Sequence, residues 1–300
     1  MSVVVSPVPV GPVGQPDIQY LPGATKYAAR TKRRQQLEDL AKMLPEGFPQ
    51  GLSSNPAWDG KDLAHVYDWN YHLTEDDLKE VEQACTSRVV SQETFQLPKL
   101  HETLRFISKE VPQGRVFKVV RGVPVDQHTR EEDIIIYAGQ RHQGKPADVV
   151  LAHITDLSRN VDTKTIKASA YTTEKQVFRT DSGDIITLFA LVEAAEGGQS
   201  YLSSSWHVYN ELARTRPDLI RTLAEPRVLG QPRSATLPPI TEAQTEALDA
   251  LHYLAEKSAV SLDFHKGDIQ VRRHPVRLWL RDAELAWETP EGLRSRWEHV

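Results

Sequence analysis

Residues Gln176–Phe189 read QVFRTDSGDIITLF, and the fold reading turns on this stretch. Its second half, continued as DIITLFALVEA over Asp184–Ala194, is a nearly unbroken apolar run, the pattern of a strand buried on both faces. Its first half holds Arg179 and Asp181, two residues apart. Residues i and i+2 of a strand point to one face. A histidine at 179 would therefore present, with Asp181, an imidazole and a carboxylate to a common point, as a metal-binding strand does. Arginine stands there instead. It stays protonated and has no lone pair to donate. A guanidinium ~4 Å from a divalent ion repels it by several kcal/mol even at an effective dielectric of roughly 20. The same spacing also allows an Arg179–Asp181 ion pair on one strand face.

Outward from this stretch the chain alternates helical and strand patterns. Towards the N-terminus, RVFKVVRGVPV (Arg115–Val125) alternates and is β-branched, a strand ending at Gly122. LPKLHETLRFISKEV predicts a helix with Leu100, Leu104, Phe106 and Ile107 on one side, and LTEDDLKEVEQAC a helix capped by Thr74 with acidic residues in its first turn. TKRRQQLEDLAKML (Thr31–Leu44) reads as a short basic helix whose RTKRR run is a solvated face. Towards the C-terminus, SSWHVYNELARTRPDLIRTLAE is helical with a break at Pro217. TEAQTEALDALHYLAEKSA carries a capping box, Thr241 with Gln244, and a stripe of Leu248, Leu251, Leu254 and Ala255. GDIQV and PVRLWLRD read as two closing strands. With no repeats and no clear linker, the pattern predicts one α+β domain over residues 31–300, preceded by a flexible Pro/Gly-rich arm over residues 1–30.

Composition narrows the functional classes. Of 300 residues, 39% are hydrophobic and 26% charged, as in ordinary globular proteins. A net charge of -5 gives no general attraction to nucleic acid or anionic membrane. No run approaches the roughly 20 apolar residues of a membrane span. The opening MSVVVSPVPVGPVGQP lacks Lys and Arg and is broken by Pro and Gly, so it reads as an arm rather than a signal peptide. The single cysteine, Cys85, excludes an intrachain disulfide and a Cys-cluster metal site; it sits in a polar helical pattern and is assigned to packing or surface. The chain is expected in the cytoplasm. A nucleophile elbow of the GxSxG type is absent, and EGG at Glu196–Gly198 is a turn without a Walker lysine. Trp279, Trp287 and Trp297 are read as packing residues.

Several blocks in order give the chain its resemblance: FKVVRGVPVDQHTREEDIIIYAG, GKPADVVLAHI, FRTDSGDIITLF, AAEGGQSYLSSSWHVYNELARTRPDLIRTLAEP, FHKGDIQ and RRHPVRLWLRDAELAWETPEGLRSRW. Together they resemble the taurine dioxygenase-like (TauD/TfdA) family, its fungal members most. The resemblance implies a double-stranded β-helix (jelly-roll, clavaminate synthase-like) core with flanking helices, and oxidation of a small molecule that depends on Fe(II) and 2-oxoglutarate. In that family 2-oxoglutarate is oxidatively decarboxylated at iron, giving an oxidant that attacks a substrate C–H bond. The iron is held by two histidines and one carboxylate, a facial triad.

Carried over residue by residue, the resemblance puts Asp181 on the metal-binding carboxylate and Arg179 on the first histidine. Ser200 in EGGQSYL falls where a hydroxyl lies near the 2-oxoglutarate carboxylate. Arg273 matches the arginine that pairs with the distal carboxylate of 2-oxoglutarate, and Arg277 its substrate-side neighbour. The second histidine has no counterpart: the family carries it on a strand and loop between GDIQ and the last strand, whereas here Val271 runs directly into Arg272. The core sheet is therefore expected to lack a part, and YAGQRHQGKPADVV shows a comparable shortening. His265 and His274 flank the junction and are the candidate substitute ligands; His207 is placed on a helix. The resulting expectation is a fungal secondary-metabolite tailoring hydroxylase, taurine hydroxylase-like, with a catalytically inactive pseudoenzyme or binding partner as the alternative.

Overall fold

The Val271–Arg272 junction lies inside one strand, β6 (Ile269–Arg273). The computed structural model describes residues 22–86, 93–140, 154–158, 171–173, 175–178, 185–225 and 240–273, and its contacts gather into two units, each made of three stretches of sequence.

One unit takes in Trp69–His153, Thr180–Gly198 and Asp263–Val300. Its sheet has the order β1-β2-β6-β3, with β1 at Asn70–His72, β2 at Phe117–Arg121 and β3 at Ile185–Phe189. β1 runs parallel to β2, while β6 is antiparallel to both β2 and β3. Val271 pairs with Lys118 and Thr187, and Arg272 with Phe117 and Ile186, so both residues of the junction have neighbours on each side. Gly122, at φ +102°, ends β2 where the sequence places the stop. Gly267, at φ +86°, turns the chain into β6; a Cβ there would lie 2.3 Å from the Val123 carbonyl oxygen, so only glycine fits.

Helices α3 (Glu75–Cys85), α4 (Leu100–Gln113) and α5 (Arg130–Gln140) belong to this unit. Thr74 caps α3 in a reciprocal box with Asp77. The core joins Val81, Leu100, Ile107, Val111, Val120, Ile136 and Ile269, with Cys85 packed at its margin, where burial pushes the thiol up to about 11. Phe106 departs from expectation: it is 66% exposed, because it precedes Ile107 by one residue, roughly 100° around the helix. The run after Ile185 departs too. Its five strand residues are only half-buried, β3 pairs on one side with β6 among the described residues, and Val192 is exposed. Apolar composition alone does not distinguish a strand covered on both faces from a half-covered one that runs into a loop.

The other unit takes in Met1–Asp68, Ile154–Arg179 and Gln199–Leu262. It contains α1 (Ala24–Leu37), α2 (Gly60–Val66), α6 (Ser205–Thr215), α7 (Pro217–Ala224), α8 (Glu242–Lys257) and the ribbon of β4 (Tyr201–Leu202) with β5 (Val260–Ser261). Pro217 opens α7 at its first turn, as the sequence indicates, and Thr241 and Gln244 cap α8 reciprocally. Val208, Leu212, Leu219, Ile220, Ala247 and Ala250 close the α6–α7–α8 core.

Two expectations fail in this unit. The first helix begins at Ala24 and ends at Leu37, so Leu40, Met43 and Leu44 lie beyond it, with Leu37 and Met43 exposed. The RTKRR run is a solvated face only at Lys32 and Arg33: Arg30 and Arg34 are the buried residues of α1. They are buried because α8 and α7 offer carboxylates, as described below. PVRLWLRD and the three C-terminal tryptophans lie outside the described residues.

Candidate functional site

Arg179, Asp181, His274 and Arg277 fall outside the described residues. Around them the chain is anchored by its neighbours. Phe178 packs at the edge of the α6–α7–α8 core with its ring 5.8 Å from that of His252, and Ile185 pairs with Arg273 at the end of β6. The Ser200 carbonyl accepts from the Leu262 amide at 3.0 Å beside the β4–β5 ribbon. His207, on α6, donates its backbone N–H to the capping Ser204 and holds its ring nitrogen Nε2 3.8 Å from Asp59.

His265 sits at the turn into β6, where its ring lies between two carboxylates: Nδ1 is 3.4 Å from Glu193 and Nε2 3.1 Å from Asp263. The hydrogen bond to Asp263 and its charge raise the imidazole pKa, with Glu193 adding to the shift. Among the described residues no group of three or more His, Cys, Asp or Glu side chains could hold a metal ion. The expected ligand positions Asp181, Arg179 and His274 lie outside those residues.

At that turn the structure assembles a polar cluster the sequence did not single out. Arg121, from the end of β2, donates to Asp268 at 2.6 Å, to Asn70 at 2.7 Å and to the Asp263 carbonyl at 2.9 Å. Asp268 is buried and also accepts from the His265 amide at 2.8 Å. Burial raises its carboxyl pKa against the pull of that amide and of Arg121. Lys266 pairs with Asp126, and its amide donates to Glu193. The signal for this cluster was GDIQ, an aspartate directly before an apolar strand; its partner Arg121 lies 147 positions away, which no local pattern reveals.

The helical unit holds an apolar cavity of about 290 Å³, lined by Phe48, Tyr209, Leu212, Ile220 and Leu251 among others. None of the site residues expected from the sequence lines it. His252, buried on α8, has no hydrogen-bond partner for Nδ1 among the described residues, and burial lowers its pKa.

Comparison with known proteins places the chain. The family model described as taurine catabolism dioxygenase TauD, TfdA family matches residues 77–263. This range includes positions 179, 181 and 200 and ends before His265. Taurine hydroxylase-like protein SAT17 of Stachybotrys chartarum is 32% identical over 318 aligned positions, covering 81% of this chain and 83% of that protein. FR-33289 synthase of Streptomyces rubellomurinus is 23% identical, over 59% of this chain and 56% of its own. A solved structure of asparagine oxygenase in complex with Fe(II), 2S,3S-3-hydroxyasparagine and succinate aligns at 14% identity and a TM-score of 0.47, over 69% of this chain and 85% of that one. The chain belongs to the TauD/TfdA dioxygenase family.

No helix among the described residues is long and apolar enough to cross a membrane.

Proposed function

We propose that this chain is a TauD-type oxidoreductase, a tailoring hydroxylase that acts on a small molecule in a fungal secondary-metabolite pathway, with Fe(II) and 2-oxoglutarate as co-reactants. The observation that carries the reading is the family match, supported by a fungal relative that shares 32% identity over most of both chains. The reading treats residues 31–300 as one jelly-roll dioxygenase domain behind an N-terminal arm, α1 beginning inside that arm at Ala24. It assigns the distal carboxylate of 2-oxoglutarate to Arg273, the neighbouring substrate side to Arg277, and the nearby hydroxyl to Ser200. Asp181 is the retained metal ligand. The single cysteine supports a reducing, cytoplasmic setting.

A second reading, a family member that binds without catalysis, rests on two features of the sequence. Arg179 replaces a ligand with a fixed cation, and no residue between Val271 and Arg272 supplies the second histidine. His265 is no ready replacement, since carboxylates flank both of its ring nitrogens.

Succinate release from 2-oxoglutarate separates the two. A hydroxylase with one retained ligand turns over only at Fe(II) concentrations well above stoichiometric, and Asp181→Ala abolishes the signal. Absence of succinate at every Fe(II) concentration, with the chain folded, selects the second reading.

A further inference from the structure

Helix α1 meets the helical unit through charge. Arg30 bonds Asp249 at 2.7 Å and Glu242 at 3.0 Å, and Arg33 reaches Glu242 at 2.5 Å. Arg34 pairs with Glu246, which also accepts from Thr31 at 2.8 Å and from Arg216. Asp218, at the start of α7, pairs with Arg216 and lies 3.8 Å from Arg34. Glu246 is fully buried, and Arg30 and Arg34 are the only buried residues of α1. Tyr27 of α1 adds an apolar contact, stacked on Tyr253 at 5.2 Å and packed at the margin of the α6–α7–α8 core. By contrast, α6, α7 and α8 close on Leu212, Leu219, Ile220 and the alanines of α8.

These two faces respond differently to opening. Separating α7 from α8 puts leucine and isoleucine into water, which is unfavourable. Separating α1 from α8 loses ion pairs but returns their charges to water, and regained solvation offsets much of the lost attraction. The chain from Glu38 to Asp59 contains no helix or strand. Its far part is tied down, by Tyr209 to the Pro49 carbonyl and by Asn210 to both backbone groups of Leu52. Nearer to α1, Leu44 packs against the α6–α7–α8 core and the Met43 carbonyl lies 3.5 Å from Arg221, so the short stretch Glu38–Lys42 is left to act as the hinge.

We propose that α1 is a polar clamp that leaves and rejoins α8 as a unit while α6, α7 and α8 stay packed. In the open state Glu242, Glu246, Asp249 and Asp218 form an acidic face with Arg216 still among them. Local opening of this kind belongs to the weakest cooperative units of a fold.

Native-state hydrogen exchange on the full chain tests the proposal. Amides of residues 28–37 are expected to exchange at least about tenfold faster than those of residues 247–257, with little dependence on low denaturant. Glu246→Gln weakens the acceptor of three donors and is expected to speed α1 exchange by a further roughly tenfold while α8 holds. Should that variant unfold the unit, Glu242→Gln, at a half-exposed carboxylate, is expected to speed α1 alone by a smaller factor. A single shared rate for α1 and α8 in the unaltered chain, or α1 rates unmoved by Glu242→Gln, overturns the clamp.

Discussion

The faces of α4 and α1 are sealed by opposite means. Helix α4 buries Leu100, Ile107 and Val111 at helical spacing and keeps His101, Glu102 and Lys109 exposed. Helix α1 buries two arginines and leaves Leu37 exposed. The first face follows the rule that apolar area leaves water. The second is tolerated because every buried guanidinium finds a carboxylate from α7 or α8. An apolar face tolerates truncation in proportion to the cavity left behind, whereas a charged face fails once a single partner is gone.

The largest effect should come from Glu246→Leu, which leaves Arg34 and Arg216 buried without their shared acceptor. A loss of about 3–5 kcal/mol in urea melts is expected; a neutral result would show that the network is dispensable. Leu219→Ala, in the apolar core beside it, should cost about 3 kcal/mol through the cavity it opens. It should loosen α6–α8 and α1 together, in contrast to the charge variants. Thr74→Ala removes one cap of α3 and should cost about 1 kcal/mol, read as a lower melting temperature.

The smallest effects are those of pH, and their signs differ by group. Burial holds His252 below its ordinary value of 6.5, so the folded state binds its proton less well than the unfolded chain. Stability should therefore begin to fall as pH drops below about 6.5, and His252→Phe should remove that step. Burial pushes Glu246 up, but its bonds from Arg216, Thr31 and Arg34 outweigh it and hold the carboxyl below 4.5. Its contribution is full above that value and is lost as pH falls through the lowered pKa. Asp249 acts the opposite way, since burial raises it despite Arg30. Melting curves from pH 7 to pH 3 on the unaltered chain and on Glu246→Gln should differ most near pH 7 and converge as the pH falls through the lowered pKa of Glu246.

Legibility in the sequence followed the same division. Periodicity located α3, α4, α6, α7 and α8, and turn chemistry located the end of β2 at Gly122, because each signal is local. The capping boxes were partly visible: Thr241 with Gln244 was read, while Asp77 as the partner of Thr74 was not. Helix α1 was misplaced because its apolar residues lie at its end and beyond, while its docking residues are arginines whose partners lie more than 200 positions away. Arg121 and Asp268 escaped for the same reason. The family was legible from blocks of residues in order. The expected site at Arg179, Asp181, Ser200, Arg273 and Arg277 rests on the resemblance, and its geometry depends on how distant strands meet, which no spacing encodes.

The central claim, that a TauD-family chain with one retained metal ligand still works as an oxidoreductase, is tested most directly by anaerobic loading with excess Fe(II) and 2-oxoglutarate, followed by exposure to O₂. Succinate should form above the protein-free control, rise with Fe(II) without saturating at stoichiometric metal, and vanish in Asp181→Ala. Succinate no greater than in the control, from chain shown to be folded, would contradict the claim and leave a binding protein on a dioxygenase scaffold.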